Sequence, residues 1–256
     1  MELTFLGTGA AFAPHAYNAS ILLDRVILLD AAPTVLPTFP ESLRRRAYRD
    51  LQRLGIETQL GTKVTDVDEH GLDIVRADGS SGRIEARTKV WAAGVEASPL
   101  GARLAEQSGA AVDRSGRVVV LGDCTLPGHP EVFVIGDLMS LRGLPGVAEV
   151  AMQSGRHAAL TVVRRLRGDA TRRDFRYHDL GTMATVSRFR AVASLGPLRV
   201  GGVVAWLLWL IVHLAFLTGF KNRVATLARW TIAFLGRGRP ERTITEQQVF
   251  ARTRAL

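Results

Sequence analysis

Two neighbouring segments in the middle of the chain constrain the fold more than any other feature. The apolar run VFVIGD (132–137) ends in Gly136 and Asp137, and about ten residues later AEVAMQSGRHAA begins a helix rich in Ala and Gly. Sheets of α/β proteins bind ligands at the carboxyl ends of their strands, where glycine permits close approach and a carboxylate accepts hydrogen bonds from hydroxyls. Each segment alone is also typical of an ordinary turn or core helix. Together they predict an α/β fold with a ligand site at this turn.

The chain before these segments alternates strand and helix patterns. RVILLD (25–30) is a continuous apolar run, Pro40 opens a helix with one apolar face, Gly55 ends it, and IETQL (56–60) reads as the next strand. This order indicates a βαβ unit and a parallel sheet. A buried strand, TKVWAA, follows later and ends before Gly94. Between them, three short runs predict an antiparallel meander at 63–67, 72–76 and 83–87.

Charge is distributed unevenly along the chain, and this bears on its partners. Of the net charge of +9, residues 164–256 carry 17 basic against 5 acidic side chains, whereas the first 163 residues carry 16 against 19. A basic carboxy-terminal region indicates an anionic partner, either nucleic acid or a phospholipid surface. An arginine-rich codon bias is an alternative explanation of the excess. The single cysteine, Cys124, excludes a disulfide framework and a cysteine-based zinc site.

A long apolar run near the carboxy terminus favours the phospholipid surface. Residues 200–220 contain no charged side chain, and at about 1.5 Å per residue they reach the ~30 Å of a bilayer core. Arg199 and Lys221 flank the run, so the charges define no orientation across a membrane, and residues 221–235 are amphipathic and basic. We therefore expect residues 187–256 to dock on an anionic membrane surface, with no nucleic-acid partner. Because no secretory signal is recognisable, we expect peripheral, monotopic attachment at the cytoplasmic face.

Eight segments stand in an order that is hard to obtain by chance: RVILLDAAPTVLPTFPE, LGIETQLGTKVTDVD, TKVWAAGVEASPL, DRSGRVVV, GHPEVFVIGDL, LPGVAEVAMQSGRHAA, FRYHDLGTMATVSRFRAVA and GVVAWLLWLIVHLAFLTGFKNR. Together they resemble the type II NADH dehydrogenases, flavoproteins that pass electrons from NADH to quinone without pumping protons. The resemblance implies FAD and NADH as cofactors and a quinone as acceptor. It also implies parts of a Rossmann-like fold with two dinucleotide-binding domains, and it leaves a homodimer open. The expected divisions are a partial NADH domain (25–96), a partial FAD domain (97–186) and a helical membrane-docking tail (187–256).

The resemblance also implies roles for single residues. Gly136 and Asp137 correspond to the second FAD motif, with Asp137 on the ribityl chain. Asp30, at the end of a strand, corresponds to the acidic group on the adenosine ribose of NADH. Ala93 and Gly94 correspond to the turn that lets the nicotinamide approach the flavin.

A second set of implied roles lies at the start of the long helix. Ala148, Glu149 and Gln153 correspond to the family's AQxAxQxG element, which lies against the flavin and the quinone. Glu149 stands where the family usually has Gln. The resemblance therefore makes Ala148 a cofactor contact, and Gln153 and Glu149 the candidate catalytic residues on the quinone side.

The first 24 residues do not resemble the flavoprotein. MELTFLGTGAAFAPHAYNASILLD resembles the first hairpin of a metallo-β-lactamase-fold hydrolase, with strands expected at 3–7 and 20–23. That family's two metals need an HxHxDH cluster. The six histidines of this chain form no such cluster, which excludes zinc hydrolysis.

A dinucleotide fingerprint is the alternative interpretation of this start. Gly7, Gly9 and Asp30 have the required order, but Phe12 replaces the third glycine and NASILLD predicts a strand where a helix should begin. The hairpin is the preferred interpretation. Since the family's glycine-rich FAD fingerprint is absent, we expect the chain alone to retain little FAD. The alternative function is a non-catalytic, membrane-associated remnant that binds no flavin.

Overall fold

The structure is a computed structural model that describes residues 2–6, 25–92, 94, 96–217 and 219–235. The chain divides into two compact units, the first comprising Met1–Ala92 with Thr182–Leu256 and the second Ala93–Gly181. Each unit has its own buried apolar clusters. The α/β class predicted from the sequence is confirmed.

The elements follow in chain order through the first unit, the second unit and the first unit again. The opening part contains β1 (Glu2–Leu6), β2 (Arg25–Asp30), α1 (Glu41–Arg53), β3 (Ile56–Leu60), β4 (Lys63–Val67), β5 (Gly71–Val75), β6 (Ser81–Glu85) and β7 (Thr88–Trp91). The second unit contains α2 (Pro99–Ser108), β8 (Val118–Val119), β9 (Thr125–Leu126), β10 (His129–Phe133), β11 (Met139–Ser140) and α3 (Ala148–Leu166). The chain returns with β12 (Thr182–Ser187), β13 (Arg190–Leu195), β14 (Leu198–Gly201), α4 (Val203–Phe216) and α5 (Phe220–Leu235).

A parallel sheet in the order β3-β2-β1-β7 organises the first unit. In β1, Phe5 pairs with Leu28 on one side and Val90 on the other, and both pairings are parallel. The predicted amino-terminal hairpin is therefore wrong for residues 2–6, because an apolar strand is better satisfied between two apolar parallel neighbours. Residues 20–23, its other predicted strand, lie outside the described residues.

The predicted βαβ unit is confirmed around α1. Pro40 precedes the helix with its fixed φ, and Gly55 follows it at φ +74°. Leu43 and Ala47 are buried against Val192 of β13, so α1 packs on the strands with which the chain returns to the first unit. The predicted meander is also confirmed, as the antiparallel sheet β4-β5-β6.

The second unit has shorter strands than the sequence predicts. β8 and β11 form a parallel pair, β9 and β10 an antiparallel pair, and α2 was not predicted. The expected strand through VFVIGD ends at Phe133, and Gly136–Leu138 form a 3₁₀ turn. The predicted long helix is confirmed as α3, and its Val150 packs on Val118 and Met139 in the core.

The tail was predicted to be helical, but its first part is a sheet. Residues 182–201 form the antiparallel sheet β12-β13-β14, so the apolar run predicted at 200–220 begins within β14. α4 then has 14 residues and ends before Leu217, a length of about 21 Å. Among the described residues, no helix has the length and hydropathy needed to cross a membrane.

Candidate functional site

Asp30 lies at the carboxyl end of β2, and only one of its two carboxylate oxygens accepts a hydrogen bond from the described residues. The residue is 6% exposed, and its Oδ1 accepts a hydrogen bond from the Ala32 N–H at 2.9 Å. Its Oδ2 is buried and has no partner among the described residues. A buried acceptor left unpaired costs about 1–3 kcal/mol. The Oδ2 atom can therefore accept a hydrogen bond from a donor outside the described residues, and a ribose hydroxyl has the required chemistry.

The Gly136 turn is fixed on the second unit's long helix. Gly136 adopts φ +63°, and its N–H donates to Ser154 Oγ at 3.1 Å. A Cβ at Gly136 would lie 3.2 Å from the Ala151 Cβ, which is tighter than most real contacts. Glycine is therefore required here by both the left-handed backbone and the close approach of α3.

Asp137 lies beside the amino terminus of α3. Its Oδ1 is 3.7 Å from the position that a Cβ on Gly146 would occupy, two residues before the helix begins. The Asp137 side chain is exposed, and within the described part of the chain no group donates a hydrogen bond to it. Val147 precedes the helix without a side-chain cap, so first-turn N–H groups stay available. This corner can accept bonds from hydroxyls and donate bonds to a carbonyl or phosphate oxygen.

Gln153 uses both ends of its amide on one backbone segment. Its Nε2 donates to the His178 carbonyl at 2.8 Å, and its Oε1 accepts from the His178 N–H at 3.0 Å. The side chain thereby fixes the irregular segment that follows Phe175 against α3. Gln153 positions this segment through contacts that involve no ligand.

Glu149, one turn earlier on α3, accepts a hydrogen bond from the Tyr177 hydroxyl at 3.0 Å. Burial, and then this bond, raise the pKa of Tyr177 to about 12. The Tyr177 proton therefore stays on its oxygen at neutral pH. Glu149 is half-buried and Ala148, at the helix start, is exposed.

The structure brings five of the predicted site residues together on one turn and one helix of the second unit. These are Gly136, Asp137, Ala148, Glu149 and Gln153. Asp30 belongs to the first unit. Gly94 is exposed at φ +62°, as a tight turn requires, and Ala93 lies outside the described residues.

Sequence reasoning missed three residues that hold this corner. Ser154 is one of two buried hydroxyls, with Thr161, on the buried face of α3, and its spacing from Val150 and Ala158 was a usable signal. Tyr177 and His178 contact α3 from 28 and 25 residues away. No local pattern marks them.

Comparison with known proteins assigns the chain to a family. Residues 4–155 match the family described as pyridine nucleotide-disulphide oxidoreductase. The chain belongs to this family. Because the match begins at residue 4, inside the first 24 residues, the resemblance of that segment to a metallo-β-lactamase hairpin is wrong.

Individual oxidoreductases of known sequence and structure are similar to most of the chain. It is 53% identical over 232 residues to the type II NADH:quinone oxidoreductase Ndh of Mycobacterium tuberculosis, covering 90% of this chain and 50% of that one. It is 49% identical over 232 residues to NdhA of the same organism, covering 89% of this chain and 49% of that one. The chain thus spans about half the length of these relatives.

A solved structure shares the fold. NDH2 from Plasmodium falciparum, in complex with NADH, superposes with a TM-score of 0.77 at 13% identity, covering 93% of this chain and 66% of that one. This likeness confirms the Rossmann-like fold class of the pyridine nucleotide-disulphide oxidoreductases.

Proposed function

We propose that the chain is part of an FAD-dependent oxidoreductase that passes electrons from NADH to a membrane quinone without pumping protons. The observation that carries the proposal is the 53% identity, over 90% of the chain, to a type II NADH:quinone oxidoreductase. The site chemistry supports it independently. Asp30 and Asp137 offer acceptors for sugar hydroxyls, and no described residue is predicted to act as a nucleophile. The cofactor would perform the redox chemistry, and the protein would bind and orient it.

Asp30 would bind the NADH adenosine ribose. Its unpaired Oδ2 supplies the acceptor that a ribose hydroxyl needs, and its bond to Ala32 holds the carboxylate in place. The turn at Ala93 and Gly94 would admit the nicotinamide half.

The corner of Gly136, Asp137 and Ala148 would bind FAD. Asp137 would accept hydrogen bonds from the ribityl hydroxyls, and the uncapped N–H groups at the start of α3 would donate hydrogen bonds to the cofactor. When bound, FAD supplies an acceptor for the hydride of NADH and a two-electron donor for quinone. The packing of Gly136 on Ala151 leaves no room for a side chain between turn and helix.

Gln153 and Glu149 would shape the quinone side. Gln153 orders the His178 backbone, and Glu149 holds the Tyr177 hydroxyl, whose raised pKa keeps its proton in place. These residues would orient the quinone and exclude water from its approach.

The tail would dock on the cytoplasmic surface of an anionic membrane. α4 and α5 expose large apolar side chains at Val203, Val204, Leu207, Ile211, Phe216, Phe220, Val224, Leu227 and Ile232. Exposed Lys221 and Arg223 accompany them, and Arg223 also donates to the Leu217 and Ala215 carbonyls. Apolar area beside cations is the combination that binds anionic interfaces. Homodimerisation is a separate expectation, which sedimentation velocity tests.

The activity is tested by combining the 256-residue chain with the part of Mycobacterium tuberculosis Ndh that it does not cover. We expect the mixture to hold flavin and oxidise NADH only when a quinone analogue is present. Asp137→Ala should weaken flavin binding by about 1.5–3 kcal/mol, the scale of a hydrogen bond to a charged group. Glu106→Ala, an exposed acid on α2, is the matched control. A mixture that holds no flavin and does not oxidise NADH would favour the non-catalytic remnant.

Docking is tested by sedimentation with phosphatidylglycerol vesicles. We expect the double change Lys221→Glu and Arg229→Glu to lower binding, by about 1 kcal/mol for each charge near the surface. Arg223 is kept because it holds the end of α4. Lys63→Glu, on exposed β4, is the control, and equal binding by both variants would contradict docking through the tail.

A further inference from the structure

An open groove of about 670 Å³ lies beside α1 in the first unit, and the proposed function makes no use of it. The loop after β2 forms one wall and a face of α1 the other. Arg44, Arg45, Tyr48 and Arg49 line the helix wall, with Val35 and Leu60 opposite. The volume is that of a small-molecule site.

The groove has more cationic groups than carboxylates to pair them. Arg45 pairs with Glu41, the acid at the groove. Within the described part of the chain, neither Arg44 nor Arg49 forms an ion pair with a carboxylate. The Arg44 Nη1 donates to Thr34 Oγ1 at 3.2 Å, whereas its Nε is buried and has no partner. A buried guanidinium N–H without an acceptor is costly, so this N–H favours an acceptor from outside the described residues.

The position of these arginines on the helix adds to the imbalance. Arg44 and Arg45 lie near the amino terminus of α1, which carries the positive end of the helix dipole. Basic side chains near the amino terminus of a helix are unfavourable, because the positive end of the dipole repels them. An anion in the groove would reverse that effect and would accept the unused N–H of Arg44.

We propose that this groove binds the phosphate group of an organic phosphate. Guanidinium groups pair with phosphate oxygens through charge-assisted hydrogen bonds. Arg44 and Arg49 both retain N–H groups for such bonds, although Arg44 Nη1 also donates to Thr34 and Arg49 Nε to the Arg45 carbonyl. Val35, Tyr48 and Leu60 give the attached organic part an apolar wall. Two sources share this chemistry: a soluble phosphate ester and the headgroup of an anionic phospholipid.

The soluble source is tested by calorimetric titration of the full chain with pyrophosphate. The lipid source is tested by sedimentation with phosphatidylglycerol vesicles against phosphatidylcholine vesicles. We expect Arg44→Gln to weaken one of these two interactions about tenfold, the loss of one charge-assisted contact. Arg49 is exposed on α1, and the variant Arg49→Gln tests the same groove if Arg44→Gln fails to fold.

Arg53→Gln is the matched control, because Arg53 lies on the same helix, pairs with Asp50 and does not line the groove. Sensitivity to Arg44 or Arg49 but not Arg53 in either arm supports the proposal and identifies the source. Equal effects of the three variants, or no saturable binding in either arm, would overturn it. Pyrophosphate bound elsewhere in the first unit would also be insensitive to Arg44, and that result counts against the groove.

Discussion

Asp30 and Asp137 both follow an apolar strand, yet their surroundings differ. Asp30 ends β2 within a sheet of four parallel strands, is 6% exposed and has one oxygen held by Ala32. Asp137 follows the two-stranded β9-β10 pair, is exposed, and accepts no hydrogen bond from the described residues. The first carboxylate is fixed by the loop that follows its strand. The second has no hydrogen bond among the described residues that fixes it.

The helices beside the two sites show the same contrast. α1 covers its apolar face with the β12–β13 strands. α3 exposes Met152, Leu160, Val163 and Leu166, the last at 83%. An apolar stripe of this kind is typical of a surface that further protein covers. NADH binding should therefore belong to the first unit alone, and FAD binding should need more than the second.

The largest effect that we expect from the difference between the two sites is on the flavin content of the purified chain. We predict that the 256-residue chain purified by itself holds far less than one FAD per chain. Asp137 and the start of α3 offer contacts to the ribityl chain, but the glycine-rich FAD fingerprint that binds the diphosphate in this family is not recognised in the sequence. Visible absorbance of the purified chain measures this, and near-stoichiometric yellow flavin would contradict it.

The second unit has a buried carboxylate, Asp123, that stabilises its fold, and an acid titration measures that stabilisation. Burial would raise the pKa of Asp123, but hydrogen bonds from Arg172 and Thr125 outweigh it and hold the pKa at about 2. Since this is below the unfolded value of about 3.9, the carboxylate stabilises the unit above pH ~4 and the stabilisation is lost as the pH falls toward 2, on the order of 2 kcal/mol.

Urea unfolding of wild type and Asp123→Asn between pH 2 and 6 tests this window. We expect the two curves to converge at the acid end and to separate above pH ~4. Glu106→Gln, at an exposed acid on α2 of the same unit, should leave the curve unchanged. A constant difference between wild type and Asp123→Asn at every pH would exclude the titration as its cause.

Gln153→Ala should have a smaller and more selective effect. It removes two hydrogen bonds to the His178 backbone, each contributing about 0.5–1.5 kcal/mol. In the flavin-loaded mixture, we expect slower quinone reduction with nearly normal flavin content. Gln107→Ala on α2 is the control. Equal losses of flavin and quinone reduction would assign Gln153 to packing alone.

Local patterns predicted the elements whose signals lie within them. Pro40, the Leu43–Ala47 spacing and Gly55 defined α1, and the stripe of small residues defined α3. The sheet of β12–β14 was missed, because the apolar run that follows it dominated the interpretation of the tail. β1 was misassigned because its parallel pairing with β7 depends on residues more than eighty positions away.

In the candidate site, too, some features follow from local sequence patterns and others depend on distant residues. Gly136 and Asp137 were predicted because a strand that ends in glycine and an acid is a local signal, whereas the role of Asp30 was implied by the family resemblance. The unused Oδ2 of Asp30 and the two bonds of Gln153 depend on packing and on a segment 25 residues distant. Neither feature leaves a pattern in the sequence.

NADH binding by the chain without flavin tests the central claim most directly. Titration followed by NADH fluorescence should show saturable binding to the wild-type chain, and Asp30→Asn should weaken it by about 1.5–3 kcal/mol through loss of the charged acceptor. Asp66→Asn, in the same unit, should bind as the wild type does. No saturable NADH binding, or equal affinity for wild type and Asp30→Asn, would contradict the account.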